Sequence, residues 1–153
     1  MNGINLILSK TGIMFPKNID NKKMSSMLKD TLMEHLEIKV THIGHDFISA
    51  TMPVGPKTHQ PLGYLHGGAS LALAESIGSM ASFLLIDAET QNVFGLEINA
   101  NHIKSKRDGM VTAIARPLHL GKQTHIWDIR IEDEENQLVS VVRLTNIITQ
   151  RKK

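Results

Sequence analysis

The sequence predicts an α+β domain, a mainly antiparallel sheet packed against one long helix. Three observations predict it. Six runs alternate apolar and polar residues with period two, as strands with one buried face do. They follow one another closely in the chain, which favours antiparallel neighbours. One stretch, Gly67 to Ile86, is apolar on nearly every side and carries Glu75 as its single charge. Such a stretch is a buried helix, and a sheet wrapped around it would cover it on several sides.

Taken in order, a first helix is predicted over Met24–His35, with Met27, Leu28, Thr31 and Leu32 at amphipathic spacing. Leu36, Ile38 and Val40 then alternate with Glu37, Lys39 and Thr41. Gly44-His45-Asp46 turns the chain, and Ile48, Ala50, Met52 and Val54 alternate again, completing a hairpin. Pro53, Gly55, Pro56 and Pro61 mark a loop, and His66-Gly67-Gly68 opens the long helix, whose small residues permit close packing. Next, Phe94, Leu96, Ile98 and Ala100 alternate with Glu97, Asn99 and Asn101. Met110–Arg116, Thr124–Glu132 and Leu138–Ile148 complete the set, with an acidic turn around Asp133–Asn136. After the first helix the order is ββαββββ.

The 153 residues suffice for one domain, read here as an N-terminal extension over residues 1–24, loosely held, and a folded domain over 25–153. With 41% apolar and 21% charged residues the chain is neither disordered nor a membrane protein. Lys plus Arg number 17 against 15 acidic residues, and a net charge of +2 argues against a nucleic-acid partner. Glu75 in the middle of the apolar run argues against a membrane span. The N-terminal residues lack a cleavage pattern, and the absence of Cys excludes disulfides, thiolate metal sites and a cysteine nucleophile. A cytoplasmic location is expected. No G-x-S-x-G, H-E-x-x-H or phosphate-loop motif occurs, so neither a serine elbow nor a metal site is expected.

The segment Gln60–Ser70 running into Ala74–Ser79 holds the candidate chemistry. The Gly67-Gly68 junction leaves backbone N–H groups unpaired at the positive end of the helix dipole, where an oxyanion could be stabilised. A glycine pair also simply serves a tight turn. Glu75 sits among Leu71, Ala72, Leu73, Ala74 and Ile77, where burial would raise its pKa toward that of a general base. Ser79 lies one turn on and could orient Glu75 or a water. Gln60 and His66 offer an amide and an imidazole, yet singly each reads as a surface or structural residue.

Gln60–Ser79, with Gly95–His102 (GLEINANH) and Pro117–Gly121, closely resembles the hotdog-fold acyl-CoA thioesterases. The branch is the one holding phenylacetic-acid-pathway thioesterases, Arthrobacter-type 4-hydroxybenzoyl-CoA thioesterases and the 1,4-dihydroxy-2-naphthoyl-CoA thioesterases of menaquinone synthesis. The motifs are most similar to the last of these, with Tyr64 standing where they carry a smaller aliphatic residue, and the likeness runs from about Met27 to Thr149. It implies a hotdog fold and hydrolysis of an aryl- or acyl-CoA, with coenzyme A as part of the substrate and no separate cofactor. It further implies Glu75 as nucleophile or general base, Gly67 N–H as main oxyanion donor, Gln60 and His66 on the carbonyl, and Ser79 assisting. Gly68, Asn101, His102, Lys104, Ser105, Lys106, Arg107 and Gly121 are implied to contact substrate, the basic cluster taking the nucleotide phosphates. Glu75 follows Gly67 by eight residues, roughly 12 Å along one helix, too far for both to meet one carbonyl carbon. The site is therefore expected to span two subunits of a homo-oligomer, a dimer of dimers by the resemblance. A hotdog enoyl-CoA hydratase or dehydratase, or a non-catalytic acyl-CoA-binding module, are the alternatives.

Overall fold

The computed structural model describes Phe15 and residues 28–151. One helical turn, α1 (Leu32–His35), leads into β1 (Lys39–Ile43) and β2 (Ile48–Pro53). The long helix α2 (Gly67–Phe83) follows, then β3 (Gln91–His102), β4 (Met110–Leu120), β5 (Thr124–Asp133) and β6 (Leu138–Gln150). The strands form one sheet in the order β1-β2-β4-β5-β6-β3, with every neighbour antiparallel. This is the predicted α+β architecture, the hotdog arrangement of a sheet around a central helix.

The core lies between α2 and one face of the sheet. Leu73, Ala74, Ile77 and Ala81 of α2 meet Ile48, Ala50 and Met52 of β2, Val111, Ala113 and Ala115 of β4, Trp127, Ile129 and Ile131 of β5, and Val142 and Leu144 of β6. The alternation that predicted the strands is what puts these side chains on a single face. Gly78 shows how tightly the helix seats: a Cβ there would lie 2.5 Å from Leu144 Cδ2 and 3.1 Å from Ile129 Cδ1. A polar seam runs beneath the helix. The Trp127 indole N–H and the Asn146 amide both donate to Ser82 Oγ, at 2.8 and 2.9 Å, and Asn146 also donates to the Gly78 carbonyl. Asn146 is fully buried, and these partners offset its desolvation.

Two elements differ from expectation. The helix predicted over Met24–His35 does not run through the described part: Asp30 adopts φ 59°, and regular helix resumes only at Leu32. Met24–Met27 lie outside the described residues. Met33 and Leu36 face the core, while Leu32 is exposed. In β3 the phase of the alternation changes. A bulge between Gly95 and Glu97 shifts the register against β6, so Gly95 pairs with Asn146 and Ile98 with Leu144 on the helix-facing side, whereas Phe94 pairs with Ile147 on the other. Phe94 and Leu96 are consequently exposed, at 55% and 60%. Phe15, within the stretch expected to be loose, is buried and stacks on Trp127, centroids 6.4 Å apart.

Candidate active site

The loop after β2 delivers the chain to the start of α2 through short-range hydrogen bonds. The Gln60 N–H donates to the Tyr64 carbonyl and the Gly63 N–H to the Gln60 carbonyl, a tight reversal in which Gly63 takes φ 76°. The Gln60 side-chain oxygen accepts the Leu62 N–H at 2.5 Å. Its amide nitrogen has no partner among the described residues and is able only to donate. His66 then caps the helix: its Nδ1 accepts the Gly68 N–H at 2.8 Å. An Nδ1 that accepts has no proton, so the neutral ring carries it on Nε2 and presents a donor there.

This cap decides which helix-start amides remain. The Ala69 and Ser70 N–H groups turn onto the His66 carbonyl, and Gly68 is held by the His66 ring. Gly68 therefore does not offer a ligand its N–H, contrary to the sequence expectation for the junction as a whole. The Gly67 N–H has no acceptor among the described residues and stands at the positive helix end. His102, the last residue of β3, closes over it. A Cβ on Gly67 would lie 2.5 Å from His102 Nε2, so the close approach requires glycine. The His102 ring is held from behind by the fully buried Ser140, Nδ1 to Oγ 2.9 Å.

Glu75 departs from expectation. Rather than sitting buried, it is exposed in the single chain, and it makes no side-chain hydrogen bond or ion pair among the described residues. The reason is the seating of α2, which presses Leu73, Ala74, Ile77 and Gly78 to the sheet and leaves position 75 at the flank of the helix, toward the edge strand β3. Gly95 makes room for its carboxylate, since a Cβ there would collide with Glu75 Oε1. The bulge beside Gly95 places that gap on the helix-facing side of β3. Ser79 turns inward: its hydroxyl donates to Asn146 Oδ1 at 3.2 Å, which leaves its oxygen only as an acceptor toward Glu75 or a water.

The basic turn is more heavily engaged than its sequence suggests. Lys104 Nζ meets Asp133 at 2.7 Å and Lys106 Nζ meets Glu134 at 2.6 Å, so the acidic turn that follows β5 is the partner of the basic one. Lys106 holds the Glu134 carboxyl down to about 2, helped by backbone N–H groups, and Lys104 with the Gln137 N–H holds Asp133 below the usual carboxylate range. Two oppositely charged turns were visible in the sequence, but only the sheet order brings them together. Arg107 is exposed, yet its guanidinium lies on Tyr64. Ser105 and Asn101 are exposed. Gly121 closes the β4–β5 hairpin, its N–H donating to the Thr124 carbonyl, and a Cβ there would meet His119. Its glycine thus has a reason that involves no ligand.

The Gln60 amide, the His66 ring and the Gly67 N–H all lie in or beside the start of α2, and the Glu75 carboxylate lies two turns along the same helix. Comparison with known proteins gives the family. Residues 62–140 match the thioesterase superfamily. The chain is 46% identical over 136 residues to the 1,4-dihydroxy-2-naphthoyl-CoA hydrolase of Escherichia coli, covering 89% of this chain and 99% of that one. It is 48% identical over 118 residues to a proofreading thioesterase of Cronobacter turicensis, covering 77% and 85%. Among solved structures, a mutant thioesterase from Pseudomonas aeruginosa superposes with TM-score 0.87 at 40% identity, over 90% of this chain and 99% of that one. The protein belongs to the thioesterase superfamily, and it is a thioester hydrolase of the hotdog fold.

Proposed function

We propose that the protein hydrolyses an aromatic acyl-CoA in the cytoplasm, 1,4-dihydroxy-2-naphthoyl-CoA being the substrate that its likeness to the Escherichia coli hydrolase supports. We further infer that it does so as a dimer whose sites each draw on both copies. The observation that carries this reading is the unpaired Gly67 N–H on the same continuous helix as Glu75. Reaction needs both groups at one carbonyl, yet they are separated by roughly 12 Å of helix rise. A second copy resolves the conflict. β3 is a sheet edge with Phe94 and Leu96 exposed. Pairing it antiparallel with another β3 about a two-fold axis near Ile98 would lay the Gly95 end of one strand beside the His102 end of the other. Glu75 lies over Gly95 and Gly67 lies under His102, so each Glu75 would approach the other copy's Gly67. Two such dimers would make the tetramer.

In that site the Gln60 amide, His66 Nε2–H and Gly67 N–H of one subunit receive the thioester oxygen, and their hydrogen bonds strengthen as it gains charge. Glu75 of the other subunit takes the proton of an attacking water, or adds to the carbonyl itself before water releases it. Either way a C–O bond forms, the C–S bond breaks, and the leaving thiolate takes up a proton to give free coenzyme A. At the nucleotide end, Ser105 is exposed and Lys104, though paired with Asp133, keeps 45% of its side chain open to phosphate, whereas Lys106 is only 15% exposed and bound to Glu134. Asn101 and His102 lie beside them along β3.

Thiol release from a panel of aromatic and straight-chain acyl-CoAs tests the reading. 1,4-Dihydroxy-2-naphthoyl-CoA and benzoyl-CoA are expected to show kcat/KM at least about tenfold above hexanoyl-CoA, the scale on which pocket contacts discriminate apolar groups. Equal or reversed preference would overturn the aromatic assignment.

A further inference from the structure

We propose that Tyr64 and Arg107 form a positioning pair, in which the guanidinium of Arg107 clamps the loop bearing Gln60 and His66 against the 104–107 turn and is thereby committed to that loop instead of to the substrate's phosphates. The inference rests on the thioester-hydrolase reading of the site. Tyr64 lies between the two carbonyl-binding residues. Arg107 Nη2 donates to its hydroxyl at 2.7 Å, and the guanidinium carbon lies 4.1 Å from its ring centroid. One cation thus engages both the polar tip and the face of the same side chain, which a planar guanidinium can do and an ammonium cannot.

The main chain is tied at the same place. The Leu65 N–H donates to the Lys106 carbonyl at 2.8 Å, and His59 Nε2 is 2.7 Å from the Arg107 carbonyl. Further in, the His66 N–H donates to the Thr58 carbonyl, while the Gln60 N–H donates to that of Tyr64. Every one of these bonds fixes the loop that aims the Gln60 amide and the His66 ring. The turn is itself anchored, because Lys104 and Lys106 grip Asp133 and Glu134 at the β5–β6 turn. A line of contacts therefore runs from the sheet, through the basic turn, to Tyr64 and the carbonyl donors. Donors stabilise an oxyanion only when held at its position, so loosening the outermost tie should slow the chemical step and leave substrate binding largely intact.

The test compares wild type, Arg107→Ala, Tyr64→Phe, Tyr64→Leu and the Arg107→Ala/Tyr64→Leu double variant on benzoyl-CoA and on benzoyl-pantetheine, which lacks the nucleotide phosphates. Wild-type thiol release is measured first. Its absence would mean that the hydrolase reading has failed, a result distinct from any difference among variants. Arg107→Ala is expected to lower kcat about fivefold to tenfold, by the same factor on both substrates, with KM nearly unchanged. Tyr64→Leu should do the same, and the double variant should fall less than about twofold below the worse single one. Tyr64→Phe keeps the ring and should lose less than Tyr64→Leu, which tests the pair even if Arg107→Ala folds poorly. A rise in KM confined to the CoA ester would overturn the proposal and make Arg107 a phosphate ligand. Multiplying losses in the double variant, or variants equal to wild type, would overturn it as well.

Discussion

Glu75→Gln lowers kcat at least about a hundredfold while leaving acyl-CoA binding and the melting temperature close to wild type, because removing a general base or nucleophile costs that much or more. The structure makes this a clean substitution. Glu75 is exposed and has no partner among the described residues, so the amide breaks no internal bond, and Gly95 leaves space for either side chain. Ser79, bonded inward to Asn146, gives no substitute base. Rates of thiol release, with equilibrium binding of a non-hydrolysable thioether analogue, separate the two quantities. Turnover within a few fold of wild type would remove Glu75 from the chemistry.

Acidification from pH 7.5 to pH 5.0 costs the folded protein about 2 kcal/mol through His125 alone. This side chain is 4% exposed and its Nδ1 has no hydrogen-bond partner among the described residues. Burial, then the neighbouring His119, push its pKa down from 6.5 to about 4, and a bond to the Gly121 backbone offsets a little of that. Between those two values the unfolded chain binds a proton that the folded chain refuses. Stability is therefore full above about pH 6.5, falls as pH drops through the window, and levels off below about 4. The lowered carboxylates, Asp133 and Glu134, lose their contribution only at more acid pH, as they protonate. Urea unfolding at fixed protein concentration is the measurement, and His125→Phe should remove most of the slope between pH 7.5 and 5.0. An unchanged slope in that variant would show that other groups carry it.

Strand order aside, much of the fold was legible, because a strand with one buried face writes its period into the sequence and Ile48, Ala50 and Met52 read as they pack. The same reasoning failed at Phe94 and Leu96. A bulge is a one-residue change of phase, and a run of alternating residues does not reveal it. It also failed at Asp30, whose positive φ interrupts a pattern that periodicity continues. Within the site, the helix start and the carboxylate could be found from glycine and charge in an apolar run. The cap at His66, which leaves Gly67 as the free donor, depends on a ring orientation that sequence does not encode locally. The pairing of the 104–107 and 133–134 turns likewise depends on β6 lying between β5 and β3. The exposure of Glu75 is the most instructive departure, since burial was expected of a lone charge in an apolar run and the flank of α2 that carries it is open in the single chain.

The central claim, that each site joins the helix start of one copy to Glu75 of another, is tested most directly by mixing two inactive proteins. Glu75→Ala and the Gln60→Ala/His66→Ala variant are co-unfolded in equal amounts, refolded together, and assayed for thiol release with hybrid formation checked by native mass spectrometry. Random association makes half of the dimers hybrids, each with one intact site of two, so the account predicts about a quarter of wild-type activity from parents that have almost none. Confirmed hybrids with activity no higher than the sum of the parents would contradict it, and would place Gly67 and Glu75 in separate roles within one chain.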